Sequence, residues 1–335
     1  MIEDFSDKYK LPSYRVKQFD KQYYQNSIED FNEITDWPKD LREKLKEELK
    51  FSSILPEKVF GEIEEDTMKV AFNRINYKKL FESVLLRHKD GRNTVCVSCM
   101  IGCPVGCTFC ATGKMGFIAN LKTNEIVDQI LFFQRKLKKI NQKVTNIVFM
   151  GMGEPLLNWQ EVKNVILLIT NPDKFAMSIK RVTISTCGII KGIKELTEFG
   201  FKGRLAISLH APSQSLRETL IPISKVNKLD DLMQVLDEYV VITNQRISYE
   251  YILLNGINDS TKEAEELVNL LSGRLAHVNL IRYNKIEKSD YEKSSQKNLH
   301  NFCSILDRNK INYTIRVSLG SNIKGACGQL TTNIY

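Results

Sequence analysis

The chain has 335 residues, of which 42% are hydrophobic and 26% charged, the proportions of an ordinary soluble globular protein. It is long enough for one large α/β domain and a smaller addition, and no low-complexity segment interrupts it. The formal net charge of +8 fits an anionic partner such as RNA, because Lys and Arg neutralise phosphates, but an ordinary basic protein carries the same excess.

The chain starts with a charged stretch, "MIEDFSDKYK", and has no apolar run near the roughly 18–20 residues that a membrane-spanning helix needs. We therefore expect a cytoplasmic protein that makes no membrane contact. Thiols stay reduced in that compartment, so clustered cysteines favour metal binding or catalysis over a disulfide framework.

The first 92 residues divide into two segments of different character. Residues 1–55 are polar and lysine-rich, and "LPSYRVKQFDKQYY" and "DWPKDLREKLKEELK" predict two short helices of a small helical domain. Residues 56–92 alternate in places and carry an Asp90-Gly91 turn, which predicts strands or a hairpin.

Strand and helix patterns alternate over residues 93–335. The strand candidates are "NTVCVS", "VTNIVFMGM", "RVTISTCG", "RLAISLHAP", "ISYEYILL", "HVNLIRYN" and "INYTIRVSL". The helical candidates between them include "TNEIVDQILFFQRKLKKI", "NWQEVKNVILLIT", "LDDLMQVLDEYVVI" and "TKEAEELVNLLSG". Alternating βα units predict a parallel sheet with helices packed outside it, and about six repeats fit an open or partial (β/α) barrel.

Polar residues stand where these strands end. The cysteine run follows "NTVCVS", and "GMGEP", "STCG", "SLHAP" and "RYN" follow four later strands. The C-terminal ends of parallel strands converge on one face of a barrel, where active sites are built. Five polar strand ends therefore predict a functional site on that face.

The run "VCVSCMIGCPVGCTFC" contains five of the eight cysteines. Two CxxC pairs, Cys96 with Cys99 and Cys107 with Cys110, have the form of a zinc site, but only seven residues separate them instead of about 12–20. The other grouping is Cys103-x3-Cys107-x2-Cys110, three ligands on one tight loop. Three thiolates on a [4Fe–4S] cluster leave one iron open to a small molecule.

Later strand ends supply groups that suit a polar cofactor. Gly153 allows close backbone approach, and Glu154 can accept hydrogen bonds from a cationic group. The alternative is an ordinary glycine turn that ends in a solvated carboxylate. Hydroxyl, imidazole and amide groups follow at Ser185, Ser208, His210 and Asn284. Near the C-terminus, Cys327 lies in "GACGQL"; a lone cysteine there is usually just small and half-buried, whereas flanking glycines suggest a mobile loop.

The CxxxCxxC loop after the first strand of a partial barrel resembles the radical S-adenosylmethionine superfamily. Six motifs in order resemble its RlmN/Cfr family of RNA methyltransferases: "CVSCMIGCPVGCTFCATGKMGF", "NIVFMGMGEPLLN", "TISTCGI", "AISLHAP", "VNLIRYN" and "ACGQL". The resemblance spans essentially the whole chain. It implies an α/β fold with a partial (β/α)6 barrel over 93–335 that ends in a catalytic-cysteine loop, an RNA-binding helical domain over 1–55, and a β-rich extension over 56–92.

The resemblance also implies the cofactors and their ligands. Cys103, Cys107 and Cys110 would hold a [4Fe–4S] cluster, and two molecules of S-adenosylmethionine would be used per turnover. The residues that would contact S-adenosylmethionine are Gly153, Glu154, Ser185, Ser208, Leu209, His210 and Asn284.

The implied mechanism passes through a methylated cysteine. Cys327 would take a methyl group from one S-adenosylmethionine, and a radical from the second would abstract hydrogen from that methyl before the carbon adds to adenine. Glu82, in "FESVLL", would then remove a proton from the adenine carbon, and Cys96 would displace Cys327 through a transient disulfide. From its own sequence context alone, Glu82 is better interpreted as a solvated strand carboxylate.

The implied substrates are 23S rRNA, at the peptidyl transferase centre, and tRNA, at anticodon-loop position 37, each methylated on carbon 2 of adenosine. The partners would include a flavodoxin- or ferredoxin-type electron donor, and the protein would be a monomer. Candidate phosphate contacts are "RHKDGR", Lys114, Lys122 and Arg135–Lys139, the last more in keeping with a solvated helix face.

Three alternatives remain open at this point. One is methylation of carbon 8 of the same rRNA adenosine, as in Cfr. Another is a radical enzyme of the superfamily with a different substrate, and the third is a non-catalytic, zinc-bound RNA-binding protein.

Overall fold

A single ten-stranded sheet organises the computed structural model, which describes residues 2–75, 77–287, 289–317 and 319–331. The strands are β1 (Ile54–Phe60), β2 (Thr67–Arg74), β3 (Tyr77–Arg87), β4 (Asn93–Cys96), β5 (Met100–Gly102), β6 (Phe117–Asn120), β7 (Asn146–Phe149), β8 (Val182–Thr186), β9 (Arg204–Ser208), β10 (Ile247–Leu253), β11 (Ala276–Arg282) and β12 (Tyr313–Arg316). The helices are α1 (Ile2–Tyr9), α2 (Ser13–Asp20), α3 (Lys39–Glu48), α4 (Ala111–Met115), α5 (Thr123–Lys138), α6 (Trp159–Thr170), α7 (Ile190–Glu198), α8 (Gln214–Leu220), α9 (Leu229–Thr243), α10 (Thr261–Leu271) and α11 (Gln296–Arg308).

The strands β4 and β7–β12 are parallel neighbours in chain order, which confirms the predicted mixed α/β fold. The four predicted helices are present as α5, α6, α9 and α10. Six of the seven residues of β10 are buried, as expected for a strand inside a parallel sheet. Within the described residues the outer strands β1 and β12 do not pair, so the barrel is open on that side.

The β-rich extension continues the core sheet. Its strands β1–β3 are antiparallel, and β3 joins β4 with Val84 opposite Cys96. The predicted turn lies between β3 and β4, and Gly91 has the positive φ of +84° that such a turn favours in glycine. The domain boundaries at residues 55 and 92 stay predictions.

The N-terminal segment contacts helix α5 of the core through residues 23–29 and 51–53. Of its helices, α2 and α3 were predicted, and α1 is an additional one. The basic end of α5 contacts this segment: Arg135 donates to the carbonyl of Ile28 at 2.8 Å, and Lys139 pairs with Glu29 at 2.9 Å. The interpretation of Arg135–Lys139 as a purely solvated face is therefore wrong, because this end of the helix holds the N-terminal segment.

A buried carboxylate joins the N-terminal segment to the same helix. Asp128 is 2% exposed, and its Oδ2 accepts from the backbone N–H and the hydroxyl of Ser53, both at 2.6 Å. Its Oδ1 accepts from the hydroxyl of Tyr23 at 3.2 Å.

Among the described residues, no helix is both long and apolar enough to cross a membrane.

Replacing Asp128 with Asn should lower the free energy of unfolding by about 1–2 kcal/mol, because a neutral amide oxygen accepts the two hydrogen bonds from Ser53 less strongly than the carboxylate does. Urea denaturation of the full chain measures the change. The control Asp231→Asn alters an exposed aspartate of α9 and should change stability by less than about 0.5 kcal/mol. Equal midpoints for the two variants would contradict the prediction.

Candidate active site

The cysteine loop after β4 is folded so tightly that glycine is required within it. The backbone N–H of Cys103 donates to the carbonyl of Gly116 at 2.9 Å, which closes the loop on the β5–β6 hairpin. A Cβ at Gly113 would lie 2.7 Å from the carbonyl oxygen of Cys107, closer than packed atoms approach. The loop therefore holds its cysteines in a fixed arrangement.

Cys103, Cys107 and Cys110 are half-buried free thiols on this loop. Burial raises the pKa of each thiol, to about 12 for Cys103, and the charge of neighbouring thiolates raises it further. Backbone N–H groups point at the sulfurs, from Val105 to Cys103 and from Thr112 to Cys110. Three neighbouring thiolates repel one another and are stabilised by a cationic metal centre and by N–H groups directed at the sulfurs. Such a set of donors fits a [4Fe–4S] cluster.

The geometry argues against a zinc site. In the part of the chain that the structure describes, no three Cys, His, Asp or Glu side chains are placed to hold a single metal ion. A tetrathiolate zinc site needs its sulfurs to converge on one ion, whereas each thiolate of a cluster binds a different iron. The spacing of these cysteines therefore favours the cluster.

Glu154, at the end of β7, is a buried carboxylate held by backbone groups. Its Oε2 accepts from the N–H of Cys187 at 2.8 Å and its Oε1 from the N–H of Leu156 at 3.0 Å. It is 3% exposed, and burial raises its pKa. Gly153, with φ +104°, lies so close to Met100 that a Cβ would come within 2.6 Å of it. The carboxylate is therefore held in a fixed orientation by neutral N–H groups. An ammonium group bound beside it would supply the positive charge that these groups lack.

The end of β9 presents a fixed, neutral histidine. The Nδ1 of His210 accepts from the backbone N–H of Ile252 at 3.0 Å, and its ring packs edge-on against Phe109 with centroids 4.9 Å apart. Burial lowers the pKa of His210 to about 3, and the charge of Arg217 contributes. Leu209 before it is fully buried. Because Nδ1 accepts a hydrogen bond, the proton of the neutral ring is on Nε2, which can donate one further hydrogen bond.

Ser185 lies in β8 and Ser208 lies in the neighbouring strand β9, and both side chains are half-buried. Ser208 lies at the last position of its strand. Their assignment as cofactor contacts stays a prediction.

The loop that carries Cys327 is docked on the cysteine loop. The N–H of Ala111 donates to the carbonyl of Gly328 at 2.8 Å, and the Thr112 hydroxyl donates to the carbonyl of Leu330 at 2.7 Å. Asn284 follows β11, and its side-chain amide donates to the carbonyl of Cys327 at 3.3 Å. The predicted C-terminal loop therefore occupies a defined position over the barrel end.

Cys96, Cys110 and Cys327 line one cavity of about 130 Å³, together with Asn284 and Arg316. Burial raises the pKa of Cys96 to about 12, and the nearby Cys327 adds to the shift. Cys96 is buried, Cys327 is exposed, and all eight cysteines are free thiols, so no disulfide joins them in this structure. The cavity brings one thiol of the three-cysteine loop together with two other thiols.

Glu82 is buried, so its interpretation as a solvated strand carboxylate is wrong. Only 1% of the residue is exposed. Its Oε1 pairs with Lys69 Nζ at 2.8 Å, and its Oε2 accepts from the N–H of Thr331 at 2.9 Å. It lines a second cavity, of about 650 Å³, together with residues 322–324, 329 and 331 of the segment that carries Cys327.

Basic side chains surround this larger cavity. Its lysines are Lys69, Lys79, Lys114, Lys285 and Lys324. Of the candidate phosphate contacts, Lys114 is in this set, whereas Lys122 pairs with Glu161 at 3.4 Å and Arg92 pairs with Asp90 at 2.8 Å. The positive charge is concentrated beside Glu82, and lysines distant in sequence supply most of it.

Sequence reasoning missed two arginines at the site. Arg316 of β12 lines the thiol cavity and pairs with Glu250 at 3.3 Å, and its charge opposes a small part of the rise in the pKa of Cys96. Arg217 of α8 is fully buried, donates to the carbonyl of Cys187, and has an Nε and an Nη1 without a partner in the described structure. Nothing in the local sequence separates either from a surface arginine, because their burial depends on strands and helices far along the chain.

Comparisons with known proteins agree with this geometry. Residues 97–271 match the model of the Radical SAM superfamily. The chain is 42% identical to the "Probable dual-specificity RNA methyltransferase RlmN" of Dictyoglomus turgidum over 319 residues, which cover 95% of this chain and 90% of the relative. It is 38% identical to the protein of the same name from Clostridium novyi, over 99% of this chain and 95% of the relative.

A solved structure, a radical SAM methyltransferase from Sphaerobacter thermophilus, superposes with a TM-score of 0.95 at 36% identity. The match covers 99% of this chain and 97% of the other. The superfamily uses a [4Fe–4S] cluster with S-adenosylmethionine, and the three-cysteine loop provides the ligands that fit it. This chain belongs to the RlmN family of radical S-adenosylmethionine RNA methyltransferases.

Proposed function

We propose that this protein methylates carbon 2 of adenosine in 23S rRNA and in tRNA, through a methyl group carried on Cys327. The observation that supports this most directly is the thiol cavity, where Cys327 and Cys96 lie beside the cluster ligand Cys110. A methyl-carrying thiol has to stand next to the radical source, and a second thiol has to reach it afterwards. The cavity meets both requirements.

Each residue then has a distinct task. Cys103, Cys107 and Cys110 hold the cluster, which together with S-adenosylmethionine supplies the carbon radical. Glu154 receives the ammonium group of S-adenosylmethionine. The other residues that contact this cofactor are Gly153, Ser185, Ser208–His210 and Asn284. Two molecules of S-adenosylmethionine are consumed, one as the methyl donor to Cys327 and one as the radical precursor.

Glu82 and Cys96 complete the reaction after the methylene carbon on Cys327 has added to the base. Glu82 takes the proton from carbon 2, and the unpaired electron left by the addition would be taken back by the cluster that supplied it. The sulfur of Cys96 then attacks the sulfur of Cys327, so that an S–S bond forms and the C–S bond to the product breaks. The electron pair of that bond goes to the methylene carbon, which takes the proton given up by the Cys96 thiol and becomes the methyl group. The lysines around the larger cavity attract the phosphates of the RNA and bring the flipped adenosine beside Glu82.

The partners follow from this chemistry. Reduction of the cluster requires an electron donor of the flavodoxin or ferredoxin type, and we propose that a monomer acts in the cytoplasm, where both RNA substrates are found. We prefer carbon 2 to carbon 8 because the named relatives are RlmN proteins.

The product decides between the two carbons. Anaerobically reconstituted enzyme is incubated with S-adenosylmethionine and large-subunit RNA that lacks the modification, and the RNA is digested to nucleosides. We expect 2-methyladenosine. Detection of 8-methyladenosine would reverse the choice of carbon, and no methylated base on either rRNA or tRNA would remove the proposal.

The Cys107→Ala variant should lose most of its iron and sulfide after reconstitution, because two thiolates do not retain the cluster. Cys303→Ala is a matched control, since Cys303 is a buried thiol of α11 outside both cavities. Iron analysis and the visible absorption band measure the loss. Stoichiometric zinc with no iron in the parent protein would instead support the zinc-bound RNA-binding alternative.

A further inference from the structure

An ion pair lies buried between strands β2 and β3. Lys69 Nζ is 2.8 Å from Glu82 Oε1, and the two side chains are 5% and 1% exposed. The ring of Phe60 covers the ammonium group, with Nζ 4.6 Å from its centroid. Two charges removed from water this completely need each other, because either one alone would be unsolvated.

The same pair holds the chain on both sides of Cys327. Lys69 Nζ donates to the carbonyl of Lys324 at 3.3 Å, and Glu82 Oε2 accepts from the N–H of Thr331 at 2.9 Å. The loop between these two points carries Cys327. One pair of side chains thus fixes the proposed proton acceptor and the ends of the segment that presents the methyl group.

Lys69 is the cation in direct contact with Glu82. Burial raises the pKa of Glu82, and the hydrogen bond and charge of Lys69 oppose that rise. The other charged groups that line the cavity are Lys79, Lys114, Lys285, Glu287 and Lys324. Of these, Lys285 pairs with Glu292 and Lys324 pairs with Glu287.

We propose that Lys69 is a positioning residue, which keeps Glu82 ionised and aligned beneath the Cys327 loop. This inference rests on the proposed role of Glu82 as the proton acceptor. The carboxylate takes the proton from carbon 2, so that a C–H bond breaks, an O–H bond forms and the electron pair stays in the ring. Lys69 keeps its own proton throughout and supplies charge and geometry only.

The test is the pH dependence of methylated-RNA formation in a single turnover, with Lys69→Met and the control Lys79→Met. The loss of Lys69 should shift the acid limb upward by about one pH unit or more, because an adjacent opposite charge changes a pKa by that amount. Lys79 is exposed and lines the same cavity, so its loss should weaken RNA binding without moving the limb. Lys69→Arg retains the charge and should keep the parent limb.

A second readout does not depend on catalysis. When the pKa of Glu82 is higher in the folded than in the unfolded protein, the folded protein binds more protons at pH values between the two pKa values. The free energy of unfolding therefore falls as the pH rises from the pKa of the unfolded state to that of the folded state. The unfolding free energy of Lys69→Met should therefore fall, relative to the parent, as the pH rises above the ordinary pKa of a glutamate, since the removal of Lys69 raises the pKa of Glu82 in the folded state further. The double variant Lys69→Met/Glu82→Gln should lack that fall.

The outcomes distinguish a failure of the role of Lys69 from a failure of the role of Glu82. If Glu82→Gln is inactive but Lys69→Met keeps both the parent acid limb and the parent stability profile, the role of Lys69 is refuted and that of Glu82 stands. If Glu82→Gln methylates RNA at the parent rate, both roles are refuted. Should Lys69→Met fail to fold, Lys69→Gln retains a donor and should show the same upward shift; an unshifted limb there also refutes the inference.

Discussion

Substitution of Cys327 by Ala should reduce the yield of methylated adenosine by at least about a thousandfold, the scale on which loss of a covalent nucleophile acts in other enzymes. The variant has no thiol to accept the methyl group. Its cluster ligands are unchanged, so reductive cleavage of S-adenosylmethionine to 5′-deoxyadenosine should continue without transfer. The measurements are nucleoside analysis of the RNA, 5′-deoxyadenosine by chromatography, and the intact mass of the protein, which should lack the added methyl.

Cys303→Ala again serves as the control and should retain methylation. Methylated RNA formed by Cys327→Ala at the parent rate would rule out the methyl-cysteine route. Loss of iron from Cys327→Ala would instead indicate that Cys327 is a ligand of the cluster.

Substitution of Cys96 by Ala should trap a covalent protein–RNA adduct. The methylene carbon can still join Cys327 to adenine, but no thiol remains in the cavity to displace it, since the third thiol there, Cys110, is proposed to bind the cluster. Release of methylated RNA should fall by at least about a hundredfold, as expected when a group needed for one covalent step is removed. A denaturing gel detects the adduct as a protein band that nuclease shifts.

Cys99→Ala is the matched control for this variant. Cys99 is a second buried thiol three positions along the same run, and its sulfur contacts the carbonyl of Met152 at 3.7 Å instead of lining the cavity. It should give no adduct. Release of free methylated RNA from Cys96→Ala at the parent rate would refute its role, and the double variant Cys96→Ala/Cys327→Ala should form no adduct at all.

Much of the fold could be predicted because its signals are local. The apolar runs of β4 and β7–β12 and the amphipathic patterns of α5, α6, α9 and α10 each lie within a short window of sequence. The cysteine loop is equally local, since the spacing of Cys103, Cys107 and Cys110 decides whether one cluster can bind them. Helices α1, α4, α7, α8 and α11 were not predicted.

The surroundings of Glu82 could not be predicted in the same way. It stands in an alternating strand, and that pattern alone leaves open which face is buried. Its backbone partner Thr331 is 249 residues away, and the carbonyl of Lys324 is 255 residues from Lys69. Likewise, the basic end of α5 looked solvated because its partners, near residues 26–29, come from another segment of the chain.

The sequence by itself determined the order of strands and helices, the three-thiol loop and, through its motifs, the family. These features depend on neighbours along the chain. Only the tertiary structure decided that Cys96 and Cys327 share a cavity, that Lys69 neutralises Glu82, and that the lysines gather beside it. Those relations depend on burial and on contacts between distant strands, because a buried charge has to find its partner wherever the fold brings one within reach.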